Sequence, residues 1–194
     1  SIDKFKINSE TDAIGVSSGV ITTRERLDRE AASHHQLVVM VRDQGTPSKR
    51  SLARVVIVVN DHNDHHPEFV TSEVEGRVYG SAEIGTQVLT VLAVDRDHGH
   101  NAQLKYSIVS GNIGTAFSMD PSLGVLSVAK PLLPLGHNRY DLQVRAADGG
   151  APSLSSTASV TVFVTTASNA APRFHDDEYT VEIAENLPEM SFVA

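Results

Sequence analysis

The chain contains no cysteine, so neither disulfides nor thiolate metal sites hold it together, and its redox compartment stays open. Basic residues are few: 16 Lys and Arg stand against 24 Asp and Glu, a formal net charge of −8. With no basic stripe to neutralise phosphates, a nucleic-acid partner is excluded. The acidic excess suits cations instead. Long apolar runs are also missing. VVIVV at 55–59 falls far short of the roughly 20 residues a helix needs to cross a bilayer. The chain opens SIDKFKIN, with charges where a signal peptide has an apolar region, and reads as a piece of something longer. No stretch keeps a helical period.

What is present is short alternation. LVVMVRD (37–43), LARVVIVV (52–59), TQVLTVLAVD (86–95), QLKYSIV (103–109), YDLQVRAAD (140–148) and ASVTVFV (158–164) are rich in β-branched residues and separated by Gly, Pro, Asn and Asp. This predicts an all-β fold. At 194 residues and 40% hydrophobic, there is room for one large or two ordinary domains with real cores.

The stretch NDHNDHHPEF at 60–69 follows one such run and ends at a proline that prevents it from joining a ladder. Asp61, Asn63 and Asp64 place hard oxygen donors at close spacing, the donors that calcium takes six to eight of. A solvated acidic turn is the plain alternative. Against it, carboxylates recur on both sides: Asp28 and Glu30 in LDRE, Asp95 and Asp97 in DRD, and Asp148 at the end of a strand-like run.

An internal repeat gives these positions a frame. Asp43, Gly45, Pro47, Pro67 and Phe69 recur as Asp148, Gly150, Pro152, Pro172 and Phe174, and Gly19 as Gly124, each 105 residues on. That is the length of a whole sandwich domain. The expected division is the later part of one unit over 1–66, a complete unit over 67–171 and the opening strand of a third over 172–194. A half sandwich would expose its inner face.

These motifs together resemble the extracellular cadherin repeat: LDRE (27–30), the alternating run ending at Asp43, DHNDHHPEF (61–69), DRDHGHNAQLKYSI (95–108) and AEN (184–186). The resemblance covers essentially the whole chain. It implies tandem seven-stranded Greek-key sandwiches, joined end to end, with Ca2+ at the junctions. The ligands it implies at the first junction are the side chains of Asp28, Glu30, Asp61, Asn63, Asp64, Asp95, Asp97 and Asp148. The carbonyls of His62, His65 and Asn101 would complete them. Seven of these groups are carboxylates, and each like-charged pair at about 4 Å costs on the order of 1 kcal/mol even in water. Without divalent cations the junction is expected to splay. The family's bridging glutamate, from the first strand of the upstream unit, would lie before Ser1.

The second junction departs from the pattern. At the 105-residue offset Leu133 and Leu135 stand where Asp28 and Glu30 stood, and Thr166, Ser168 and Asn169 replace Asp61, Asn63 and Asp64. Gly80 occupies the place of the family's first-strand glutamate. No calcium is expected there; the two leucines would either cover a following unit or pack inside the middle one.

Three other readings compete. Zinc on His62, His65 and His66 is disfavoured, because the three are too closely spaced in an extended connector to converge on one ion; their imidazoles are expected to face water. A metal-dependent hydrolase built on Asp95 and Asp97 lacks a visible nucleophile with a base. A spacer without a partner surface is the third. The family's strand-exchange adhesion uses a tryptophan, and the chain has none. The resemblance thus implies part of the ectodomain of a long, Fat- or Dachsous-like cadherin. It would be extracellular, anchored only through parts outside this chain, and partnered by another cadherin ectodomain.

Overall fold

A computed structural model of the chain describes residues 2–14 and 16–166. Its helical pieces are short 3-10 turns, at Ile2–Lys4, Gly99–Ala102, Ile113–Thr115 and Leu133–Leu135, and everything longer is strand. The chain is all-β, as its alternation predicts. Among the described residues no helix is long and apolar enough to cross a membrane. The expected opening strand of a third unit, with Ser168 and Asn169, lies outside the described residues.

The first part consists of two antiparallel hairpins, β1 (Phe5–Thr11) with β2 (Ser17–Thr23) and β3 (His34–Arg42) with β4 (Arg50–Val58). Phe5 and His35 are buried where the hairpins meet, edge to face with ring centroids 5.2 Å apart. Beyond that pair an open groove of about 410 Å³ separates the hairpins, lined by Ile7, Ile21, Leu37 and Val39 among others.

The second part carries β5 (Glu68–Phe69), β6 (Glu73–Tyr79), β7 (Gln87–Thr90), β8 (Ala93–Val94), β9 (Lys105–Ser110), β10 (Phe117–Met119), β11 (Val125–Val128), β12 (Arg139–Ala147) and β13 (Ser155–Thr165). One sheet has the order β6-β13-β12-β9, with β6 parallel to β13 and the other pairs antiparallel. The other has the order β10-β11-β7, while β5 pairs with β8. With β5–β6 and β7–β8 each counted as one interrupted strand, this is a seven-stranded Greek-key sandwich.

Strict alternation builds its core. On β12 Tyr140, Leu142, Val144 and Ala146 are buried, whereas Arg139, Asp141, Gln143 and Arg145 face solvent. Ala158, Val160 and Val162 do the same on β13 and share one core with Phe117, Leu126 and Val128 from the other sheet and with Val91. Each valine, leucine or phenylalanine among them contributes about 1.5–3 kcal/mol on full burial.

The hairpin β3–β4 and the hairpin β12–β13 begin 105 residues apart on both strands, His34 against Arg139 and Arg50 against Ser155. His35 therefore corresponds to Tyr140, and each packs edge to face on a phenylalanine, Phe5 in one case and Phe117 in the other. The run 86–95, expected as one strand, is broken at Val91 and Leu92. There the chain changes partners: β7 pairs with β11, and after the break β8 pairs with β5.

Candidate metal centre at the junction

Three loops converge where the first part meets the second, and each is shaped by its own acid. In the loop between β2 and β3, Asp28 accepts the N–H groups of Glu30 (2.9 Å) and Ala31 (3.1 Å). These bonds hold its carboxyl below the usual range, the Ala31 bond most of all. After β8, Asp95 accepts the N–H of Asp97 at 2.9 Å. At the end of β12, Asp148 accepts the N–H groups of Gly150 and Leu154, both at 3.0 Å. This is the Asx-turn habit of aspartate. The connector from β4 to β5 threads between these loops and is pinned at its end by Pro67, whose side chain is fully buried.

Connector side chains cross to the second part. The Asn63 side-chain amide donates to Asp148 (3.0 Å) and to the Pro152 carbonyl (2.9 Å). Asp61 accepts the N–H of His98 (3.0 Å) and the amide of Asn101 (2.8 Å). The His65 N–H donates to Asp97 at 3.2 Å. Carboxylate oxygens of Glu30, Asp61 and Asp97 lie within 4.8 Å of one another, and Glu30, Asp64 and His65 form a second such group.

The electrostatics are those of crowded negative charge. Burial pushes Asp95 up, the charges of Asp97 and Asp148 push it further, and the N–H of Asp97 opposes them. Burial acts the same way on Asp61 and Asp148 but is outweighed. Hydrogen bonds from His98 and Asn101, with the Arg29 charge, bring Asp61 below the usual range. Asn63, Gly150 and Leu154 do the same for Asp148.

Of the residues read from sequence, Glu30, Asp61, Asp64, His65 and Asp97 are brought together, Asn63 is joined to Asp148, and Asp95 lies against Asp97. Asp28 is exposed and spends its carboxylate on its own loop. His62 is exposed, and its carbonyl accepts the Asp64 N–H at 2.9 Å. Asn101 presents its side chain to Asp61.

The expectation that all three imidazoles face water is corrected for His65. Its Nδ1 lies 3.1 Å from both Asp97 and Asp64, and the Asp97 bond, with the surrounding acids, raises its pKa. The ring is turned inward onto the acids of the pocket. Two further residues were not read from sequence as part of the site. Arg29 pairs with Asp61 and Glu30. Gly150 leaves room for Asn63, whose amide nitrogen would lie 2.2 Å from any Cβ there.

At the opposite pole the two leucines divide. Leu135 packs against the core, whereas Leu133 is 59% exposed and lies over Gly80, where a Cβ would come within 2.8 Å of it. Both acidic groups found among the described residues belong to the first junction.

Two hairpins followed by a β-sandwich, with acids from both parts crowded where they meet, is the arrangement the described residues show. The Cadherin domain family matches residues 2–60 and 75–165. Protocadherin Fat 1 of Homo sapiens is 48% identical over 193 residues, and the Fat-like cadherin-related tumor suppressor homolog of Drosophila melanogaster 44%. Each alignment takes in 100% of this chain and 4% of the relative. Among solved structures, mouse clustered PcdhgC3 EC1-3 is 32% identical with a TM-score of 0.76, covering 84% of this chain and 53% of that one. The chain belongs to the cadherin family. Cadherin repeats are adhesion modules rather than enzymes, which removes the hydrolase alternative.

Proposed function

We propose that the chain is an ectodomain segment of a long cadherin, outside the cell, that serves calcium-dependent adhesion or recognition with another cadherin ectodomain. In this reading units run over 1–66, 67–171 and from 172 onward, and calcium stiffens the join between the first two. Asp28, Glu30, Asp61, Asn63, Asp64, Asp95, Asp97 and Asp148 hold the ions through side chains; His62, His65 and Asn101 contribute carbonyls.

One observation carries the reading: acids from both units converge, and side-chain oxygens among them are buried without a partner. Asn63 Oδ1 and Asp95 Oδ2 are inaccessible and accept no hydrogen bond, a costly state for a polar atom. All the donors are hard oxygens, which fits calcium. When bound, calcium supplies the positive charge that lets these acids stay ionised side by side. The residues themselves fix the angle between units, because Asn63 and Asp61 each reach from the connector into loops of the second unit.

The second junction works without calcium in this reading. Its support is the replacement of acids by Leu133, Leu135 and Thr166, with Leu133 lying over Gly80 where the family has a glutamate. Extracellular calcium modules bind at about 10⁻⁴ to 10⁻³ M. Calorimetric titration of the chain with calcium chloride is expected to saturate in that range, with ions located by anomalous scattering among Asp61, Asp97 and Asp148. A flat titration at several millimolar calcium would sink the proposal.

A further inference from the structure

The LDRE motif supplies two acids, Asp28 and Glu30, and the residue between them is left without a role. We propose that Arg29 is a built-in counter-cation and cross-unit tether: it occupies the Glu30–Asp61 edge of the acidic cluster when divalent ions are absent and competes with them when they arrive. The inference rests on the calcium reading above and deepens it.

The guanidinium touches three groups on three segments. It meets the Glu30 carboxylate in its own loop, the Asp61 carboxylate in the connector, and the backbone carbonyl of Arg96, at 2.8 Å, in the second unit. Its side chain is only 17% exposed, so water screens these contacts poorly. Its terminal nitrogen donates to Glu30 and to the Arg96 carbonyl, while Nε faces Asp61 as an ion pair, a planar three-way arrangement that a point-like ammonium cannot reproduce.

Glu30 and Asp61 are also two of the three acids whose oxygens lie within 4.8 Å of one another, Asp97 being the third. A cation drawing on those oxygens meets a positive charge already in place. Two consequences of opposite sign follow. Arg29 weakens binding of the divalent ion at this edge, and it keeps the two units joined, through the Arg96 carbonyl, when that ion is gone. The arginine therefore narrows the mechanical difference between the loaded and the stripped junction.

The test compares the 194-residue chain with its Arg29→Ala and Arg29→Lys variants. Calcium chloride titration is followed by calorimetry, and shape in EDTA by small-angle scattering. Arg29→Ala is expected to bind calcium about thirtyfold more tightly, the effect of removing a unit positive charge about 4 Å from a divalent ion in water, and to show a larger maximum dimension in EDTA. Arg29→Lys is expected to keep the native calcium affinity within about twofold while scattering like the alanine variant in EDTA. Thermal melts of the variants check that the middle sandwich is intact, as expected for a loop residue outside its core.

Unchanged titration and scattering in Arg29→Ala, or weaker calcium binding, would overturn the inference. A native chain that takes up no calcium overturns the underlying junction reading instead, and the EDTA scattering of Arg29→Ala still decides the tether.

Discussion

At the scale of single residues, the junction depends on one side chain that is not there. Gly150 has no Cβ, and Asn63 fills that space to reach Asp148 and the Pro152 carbonyl. Gly150→Ala is predicted to leave the sandwich folded yet lower calcium affinity by about tenfold, the usual scale for disturbing the support of a metal ligand; the same titration reads it. Tyr140 offers the contrary case. Its hydroxyl is buried without a partner, and burial raises its pKa. Tyr140→Phe removes an unsatisfied polar group while keeping the ring on Phe117, so urea unfolding should show no loss and up to about 1 kcal/mol of gain. On the outer face of the sheet, Arg139 grips Asp141 with two nitrogens and holds its carboxyl below the ordinary value of 3.8. That pair contributes fully above pH 3.8 and is lost as pH falls through the lowered value. An NMR titration of Asp141 should therefore give a midpoint below 3.8.

At the scale of elements, the hairpins β3–β4 and β12–β13 were legible and several other strands were not. LVVMVRD and YDLQVRAAD alternate over enough residues to announce β3 and β12. β10 is only three residues long and β5 two, too short to hold a period. β1 and β2 are polar, FKINSET and SSGVITT, and exposed over most of their length. Their pairing is a matter of register, not of pattern. The turn Leu133–Leu135 gives an element-scale prediction. Leu135→Ala should destabilise the middle unit by about 1–2 kcal/mol for the apolar contact it loses, whereas the exposed Leu133 should tolerate alanine within about 0.5 kcal/mol. Equal costs in chemical denaturation would mean that the two leucines play the same part.

At the scale of the whole molecule, the asymmetry between the two ends of the middle unit matters most. One end gathers acids from both units; the other offers Leu133, Gly80 and Thr166. Chelation should therefore act at one joint only. EDTA is expected to broaden the scattering profile through the first junction. Saturating calcium, at about 100 times its Kd, should stabilise the folded pair by about 2.7 kcal/mol per site, visible as a calcium-dependent shift in the melt. A protein whose melt is the same in calcium and in EDTA would count against the cation as the mechanical element.

The amino-acid order alone determined the all-β class, the 105-residue repeat and the acidic residues at the first joint, because alternation, turn residues and spacing are local properties that survive without coordinates. It also set leucines at 133 and 135, 105 residues on from Asp28 and Glu30. Only the tertiary structure decided what those acids face. Arg29 reaching the Arg96 carbonyl, His65 turned onto Asp97 and Asn63 filling the space beside Gly150 are contacts between segments tens of residues apart. No local period encodes them, since they arise where loops and a connector far apart in the chain meet at the join of its two parts.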